Sequence, residues 1–149
     1  MKTYIVKIDE YGNKRWYLNG NLHRTDGPAV EYADGSKFWY LNGNLHRTDG
    51  PAMEYADGSK EWYLNDVLHR ADGPAVEYVC GSKCWYLNGN LHRTDGPAME
   101  YADGSKEWYL NDKDYTEADW RKQLNKLNKA TCVGKIVEVD GVKYKLVQT

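Results

Sequence analysis

A chain of 149 residues and 17.2 kDa, with 20 basic and 22 acidic side chains, is one domain long and lacks the net charge that would draw it to nucleic acid or an anionic membrane. Six Trp and thirteen Tyr beside a single Phe point to half-buried surfaces, where a ring packs at one end and keeps a polar tip wet, rather than to a thick core. No apolar run reaches secretory or transmembrane length, and the three cysteines Cys80, Cys84 and Cys132 are too few for a disulfide framework, so a cytoplasmic protein is expected.

Residues 1–9 contain the short alternating stretch Tyr4 to Ile8, read as a capping strand. From residue 10 to 112 the chain repeats itself. Trp16, Trp39, Trp62, Trp85 and Trp108 are each 23 residues apart, within a unit ADGSKxWYLNGNLHRTDGPA(V/M)EY that begins at Ala33, Ala56, Val79 and Ala102. A divergent copy starts near Glu10, four copies run through, and a fifth stops after Asn111-Asp112. Turn formers bound short β-prone runs: Asp34-Gly35, Asn42-Gly43 and Asp49-Gly50-Pro51 in one copy. Gly and Pro recur too often between them for a helix.

Two architectures meet this pattern. In an antiparallel hairpin array, Lys37 to Leu41 pairs with Ala52 to Tyr55, and Leu45 to Thr48 is a partly extended crossover outside the sheet. In a parallel β-solenoid, 23 residues make one coil. Copies would lie roughly 9 to 10 Å apart in the first and about 4.8 Å in the second.

Residues 113–149 change period. Trp120, Leu124 and Leu127 fall on one helical stripe and Lys122, Lys126 and Lys129 on another, with Thr116 and Asp119 placed to cap the N-terminus. Lys135 to Val139 and Val142 to Val147, joined by Asp140-Gly141, read as a hairpin. The helix and hairpin together are expected to cap the array. The expected fold is thus mainly β: an elongated single-sheet array of hairpin repeats with a small helix-plus-hairpin cap.

The 23-residue period, the aromatic strand, the Asn-Gly followed shortly by His and the Asp-Gly that restarts each unit resemble MORN repeats, closest to their variant forms. The resemblance spans about Tyr11 to Asp112. It implies a twisted hairpin array that serves as a scaffold or partner-binding surface. The sequence departs from that family in Lys-x-Trp-Tyr-Leu and in His-Arg-Thr-Asp-Gly-Pro-Ala, so an inherited ligand such as a phospholipid headgroup does not follow.

His23, His46, His69 and His92 each precede an Arg and lie three residues before an Asp. That set holds the parts of an acid–base site, but it recurs in four equivalent surroundings, whereas enzymes gather such groups once. The structural reading is that Arg24, Arg47, Arg70 and Arg93 pair with acids of an adjacent unit. No phosphate loop, nucleophile motif or metal-spaced Cys/His set occurs, so neither enzyme activity nor a metal or cofactor is expected. Trp39, Leu41, Met53 and Tyr55 are expected to share the core face.

The opposite face should carry Tyr17, Tyr40, Tyr63, Tyr86 and Tyr109, the variable position occupied by Phe38 and Glu61 in successive copies, and Glu54 and Glu77. Positions that diverge after duplication are read as solvent-facing. An aromatic ladder edged by acid is then either a protein-contact surface or a shield for a thin sheet. The leading expectation is a non-enzymatic interaction scaffold for a protein partner or a second copy of the chain, of the kind a phage or mobile element uses to inhibit a host factor. Neither nucleic acid nor membrane is an expected partner. The alternative is binding of a choline-like cation, sugar or lipid headgroup between aromatic hairpins.

Overall fold

The computed structural model describes residues 4–132, 136–139 and 142–145, with side chains through Asn128. The chain is an antiparallel meander, the hairpin array rather than the solenoid. Tyr4–Ile8 pairs with Lys14–Leu18, each later repeat adds two strands, such as Lys37–Phe38 and Met53–Glu54, and Lys106–Leu110 with Lys113–Tyr115 closes a sheet of 12 strands.

Two of the three turns in each unit reverse the chain. At Asn42-Gly43 both residues have positive φ, 53° and 91°, the geometry of a two-residue turn whose twist matches its strands. At Ala33-Asp34-Gly35 the Tyr32 N–H donates to Ser36 O at 2.9 Å, and Gly35 supplies the left-handed residue at φ 98°. Asp34 completes the turn by accepting the Ser36 N–H at 2.8 Å.

Asp49-Gly50-Pro51 is not a reversal, which corrects the sequence reading. Trp39 N–H donates to Ala52 O at 2.8 Å, while Trp39 O accepts His46 N–H at 3.0 Å. One residue therefore opposes both His46 and Ala52, and the segment between them is extruded as a loop. On one side of Trp39 the ladder belongs to the large sheet; on the other, Tyr40–Leu41 pairs with Asn44–Leu45 as a short tip hairpin. The expected crossover thus starts as a paired strand, and only Arg47 to Pro51 leaves it.

Register across the large sheet produces two unlike rows. One runs Lys14, Glu31, Lys37, Glu54, Lys60, Glu77, Lys83, Glu100, Lys106, opposite charges facing at every step. Such pairs favour this alignment, since a one-residue slip would place Lys and Glu on the apolar face. The other row runs Arg15, Val30, Phe38, Met53, Glu61, Val76, Cys84, Met99, Glu107; Val30, Val76 and Cys84 are 3–5% exposed there, while the fully buried Ala29, Ala52, Ala75 and Ala98 lie on the opposite face, so each face buries apolar groups. Directly opposed residues share a face, so Met53 and Tyr55 lie with Phe38 and Tyr40, not with Trp39. Glu54 lies on the Trp39 face. The expected grouping was one residue out of register, and the variable position is half-buried to buried rather than solvent-facing.

The helix Glu117–Cys132 starts where expected: the Asp119 N–H donates to Thr116 Oγ1 at 3.2 Å, whose hydroxyl in turn donates to Asp119 at 2.9 Å. Trp120 is buried at 5% exposure, and its indole N–H donates to Arg93 O at 3.1 Å, while Leu127 is exposed. Strands Ile136–Val139 and Val142–Lys145 pair as the expected hairpin; its Asp140-Gly141 turn, Lys135 and Val147 lie outside the described residues. No helix among the described residues is long and apolar enough to cross a membrane.

Candidate functional site

Each extruded loop is built around its arginine. The Arg47 guanidinium stacks 4.0 Å from the centre of the Trp39 ring and reaches Asp49 through Nε (3.0 Å), and Pro51 O and Glu54 through Nη1 (3.2 and 3.0 Å). Arg24, Arg70 and Arg93 repeat this clasp on Trp16, Trp62 and Trp85 at 3.9–4.2 Å. The partners belong to the arginine's own unit, which corrects the expectation of pairing with a neighbour. Each guanidinium holds the carboxyls of Asp26, Asp49, Asp72 and Asp95 below their usual range, first through its hydrogen bond.

Neighbouring units are joined by other groups. The backbone N–H groups of Asn42, Asn88 and Asn111 donate to Nδ1 of His23, His69 and His92 at 3.1–3.2 Å, and His46 Nδ1 lies 2.9 Å from the carboxamide oxygen of Asn65. The histidines therefore pin the next unit's turn. At the opposite end of the strands, buried Ser36 and Ser59 accept the N–H groups of Ala56 and Val79 at 3.0 Å. No sequence period separates such a serine from an ordinary turn residue; its invariance within the repeat was the only signal.

The tyrosine face is similarly occupied. Phe38 meets Tyr32 and Tyr55 edge-on at 5.2 and 5.5 Å between ring centres. Where Glu replaces Phe, the hydroxyls of Tyr55 and Tyr63 donate to Glu61 at 3.2 and 2.8 Å, and those of Tyr101 and Tyr109 to Glu107 at 3.2 and 2.9 Å. Burial and then the Glu61 charge push the Tyr55 hydroxyl up to about 12; at Tyr109 the hydrogen bond to Glu107 leads, with the same result. Tyr17, Tyr40 and Tyr86 are half-buried, and Glu54 and Glu77 are bonded to Arg47 and Arg70. The residues expected to meet a partner are thus divided between two faces and largely engaged within the array.

Open space lies on the Trp face instead, between consecutive loops. Grooves of about 550, 510 and 780 Å³ are floored by Trp39 and Leu41, Trp62 and Leu64, and Trp85 and Leu87, with walls from the flanking Arg-x-Asp-Gly loops and a His at the end. Thr48 and Thr94 stand exposed on their rims. A fourth groove, floored by Trp108, is bounded by Trp120 and Leu124 of the helix. Among the described residues, Trp120 is the only tryptophan whose indole N–H is hydrogen-bonded. No group of three His, Cys, Asp or Glu side chains placed to hold a metal occurs among them either.

In comparisons with known proteins, no family model matches the chain and no curated protein matches it.

Proposed function

We propose that the protein is a non-enzymatic interaction scaffold and that its contact surface is the row of grooves on the Trp face. One observation carries this reading: the same groove is built three times over, one repeat apart, each with an aromatic-aliphatic floor and unspent indole and threonine donors. A surface that repeats at two strand spacings, about 9.5 Å, suits an extended partner that crosses several units rather than a substrate held at one point. The resemblance to variant MORN repeats agrees, since it implies a scaffold, and a phage or mobile-element inhibitor of a host factor would be one use of it. The histidine, arginine and aspartate that could do acid–base chemistry are engaged within the array in every copy, which argues against an enzyme.

A choline-like cation or a stacked sugar is the weaker reading. Either needs an open aromatic face, and the rings of Trp16, Trp39, Trp62 and Trp85 already carry the chain's own guanidinium.

The test is crosslinking capture from host lysate with wild type and with Thr48→Arg/Thr94→Arg, which fills groove rims without touching the clasps. A stoichiometric protein captured by wild type and lost in the double variant supports the reading. Equal capture by both places the contact elsewhere.

A further inference from the structure

The two ends of the sheet are finished differently. At one end Trp120 lies over the last groove and takes the Arg93 carbonyl. At the other, Tyr4–Ile8 is an edge strand exposed along its whole length. Tyr4, Ile5, Val6, Ile8 and Tyr11 are 46–73% exposed and make up most of the exposed large hydrophobic side chains among the described residues. Long apolar edges invite strand pairing, and proteins usually blunt them with charge, proline or a covering element.

The backbone of this edge is also free. Asp9 N–H donates to Asn13 O, and hydrogen-bonded pairs alternate along an antiparallel ladder, so Lys7 and Ile5 point their amides at Arg15 and Tyr17. The amides and carbonyls of Tyr4, Val6 and Ile8 consequently point outward.

We propose that this strand pairs with the same strand of a second copy, antiparallel, about a two-fold axis at Val6. A two-fold contact must be self-complementary, and this register is. It sets Tyr4 against Ile8, Val6 against Val6 and Ile8 against Tyr4, a continuous apolar row in which each outward amide meets an outward carbonyl. On the other face it sets Lys7 against Ile5, so no like charges face each other. Moving the axis to Lys7 would oppose two lysines, and moving it to Ile5 would leave Ile8 without a partner inside the strand. Charge and bond count therefore select one alignment and one occupant. The two arrays join into a continuous sheet, with the helices at its far ends.

The experiment is sedimentation velocity of the full chain over a wide concentration range, with Val6→Pro and Val6→Lys. Proline at Val6 removes only an outward N–H and leaves the bonds to Lys14–Leu18 intact; lysine places two charges on the axis. The expected result is a doubling of mass at high concentration in wild type that both variants lose while circular dichroism is unchanged. Val6→Cys gives a second reading, because directly hydrogen-bonded antiparallel partners lie about 5.5 Å apart at Cα, within disulfide range. In a Cys80→Ser background it should form a crosslinked dimer on oxidation, and Ile5→Cys should not. A wild type that stays monomeric throughout, or a dimer indifferent to Val6→Lys, overturns the proposal.

Discussion

The guanidinium carbon of Arg70 lies 4.1 Å from the centre of the Trp62 ring, and a β-carbon on Gly73 would stand 2.9 Å from that same atom. The glycine of each Asp-Gly-Pro is thus required by the arginine packed against it rather than by a left-handed backbone. Gly73→Ala should cost about 1–3 kcal/mol, as overpacking does. Arg70→Lys should cost a similar amount, because an ammonium cannot stack and reach Asp72, Pro74 O and Glu77 together. Urea unfolding of the two single variants and the double checks this. The double should cost far less than the sum, since both act on one clasp.

Alkaline pH should unfold the array through its tyrosines. Burial and Glu61 raise the hydroxyl of Tyr55 to about 12, and Glu107 does so for Tyr109. A folded-state pKa above the unfolded value of about 10 means that folding favours the protonated hydroxyl. This contribution is whole below pH 10 and is lost as pH climbs through about 12. Glu107→Gln should bring the Tyr109 transition down, seen by ultraviolet absorbance titration; no movement would remove the carboxylate from the account.

Trp120 should hold the last unit in place. Trp120→Ala removes a buried indole and leaves the Arg93 carbonyl unpartnered, a local loss of about 3–5 kcal/mol. Hydrogen exchange should quicken in residues 93–116 while the unit around Trp39 keeps its protection, because repeat arrays couple nearest neighbours.

Cys80 and Cys84 should part in reactivity. Cys80 is exposed, with its thiol drawn down by its hydrogen bond to Ser82, and Cys84 is buried, with its thiol pushed up by burial. Alkylation followed by peptide mass mapping should label Cys80 first by a wide margin. Cys80→Asp restores the turn bond that Asp34, Asp57 and Asp103 make to the following serine amide, and should stabilise by about 0.5–1.5 kcal/mol.

The array was legible in the sequence because its reversals are written in turn formers, Asn-Gly at two positive φ angles and Asp34-Gly35 with its counterparts, although the same dipeptide at Asp49-Gly50 reverses nothing. The helix start at Thr116 was legible for the same reason. The faces were not. Alternation tells which residues of one strand share a side, but the match of Phe38 to Met53 rather than to Glu54 depends on how many residues the loop from Arg47 to Pro51 extrudes, and composition does not count them. Reading the variable position as exposed failed because Phe38 and Glu61 satisfy the same half-buried slot by different means, one by ring edges and one by accepting two hydroxyls. The grooves are illegible for a related reason: they exist only between loops whose Asp-Gly-Pro reads as a turn.

The hydrogen bonds of an antiparallel ladder run across its strands, and in this meander they therefore run along the length of the array. Tension applied at its two ends loads the junctions in series, and one junction can open while the next still bears the force. Each unit that peels away releases 23 residues of chain, roughly 75 Å when extended. Under such a load the array should lengthen in near-equal steps, each opening the histidine and serine bonds that join one unit to the next.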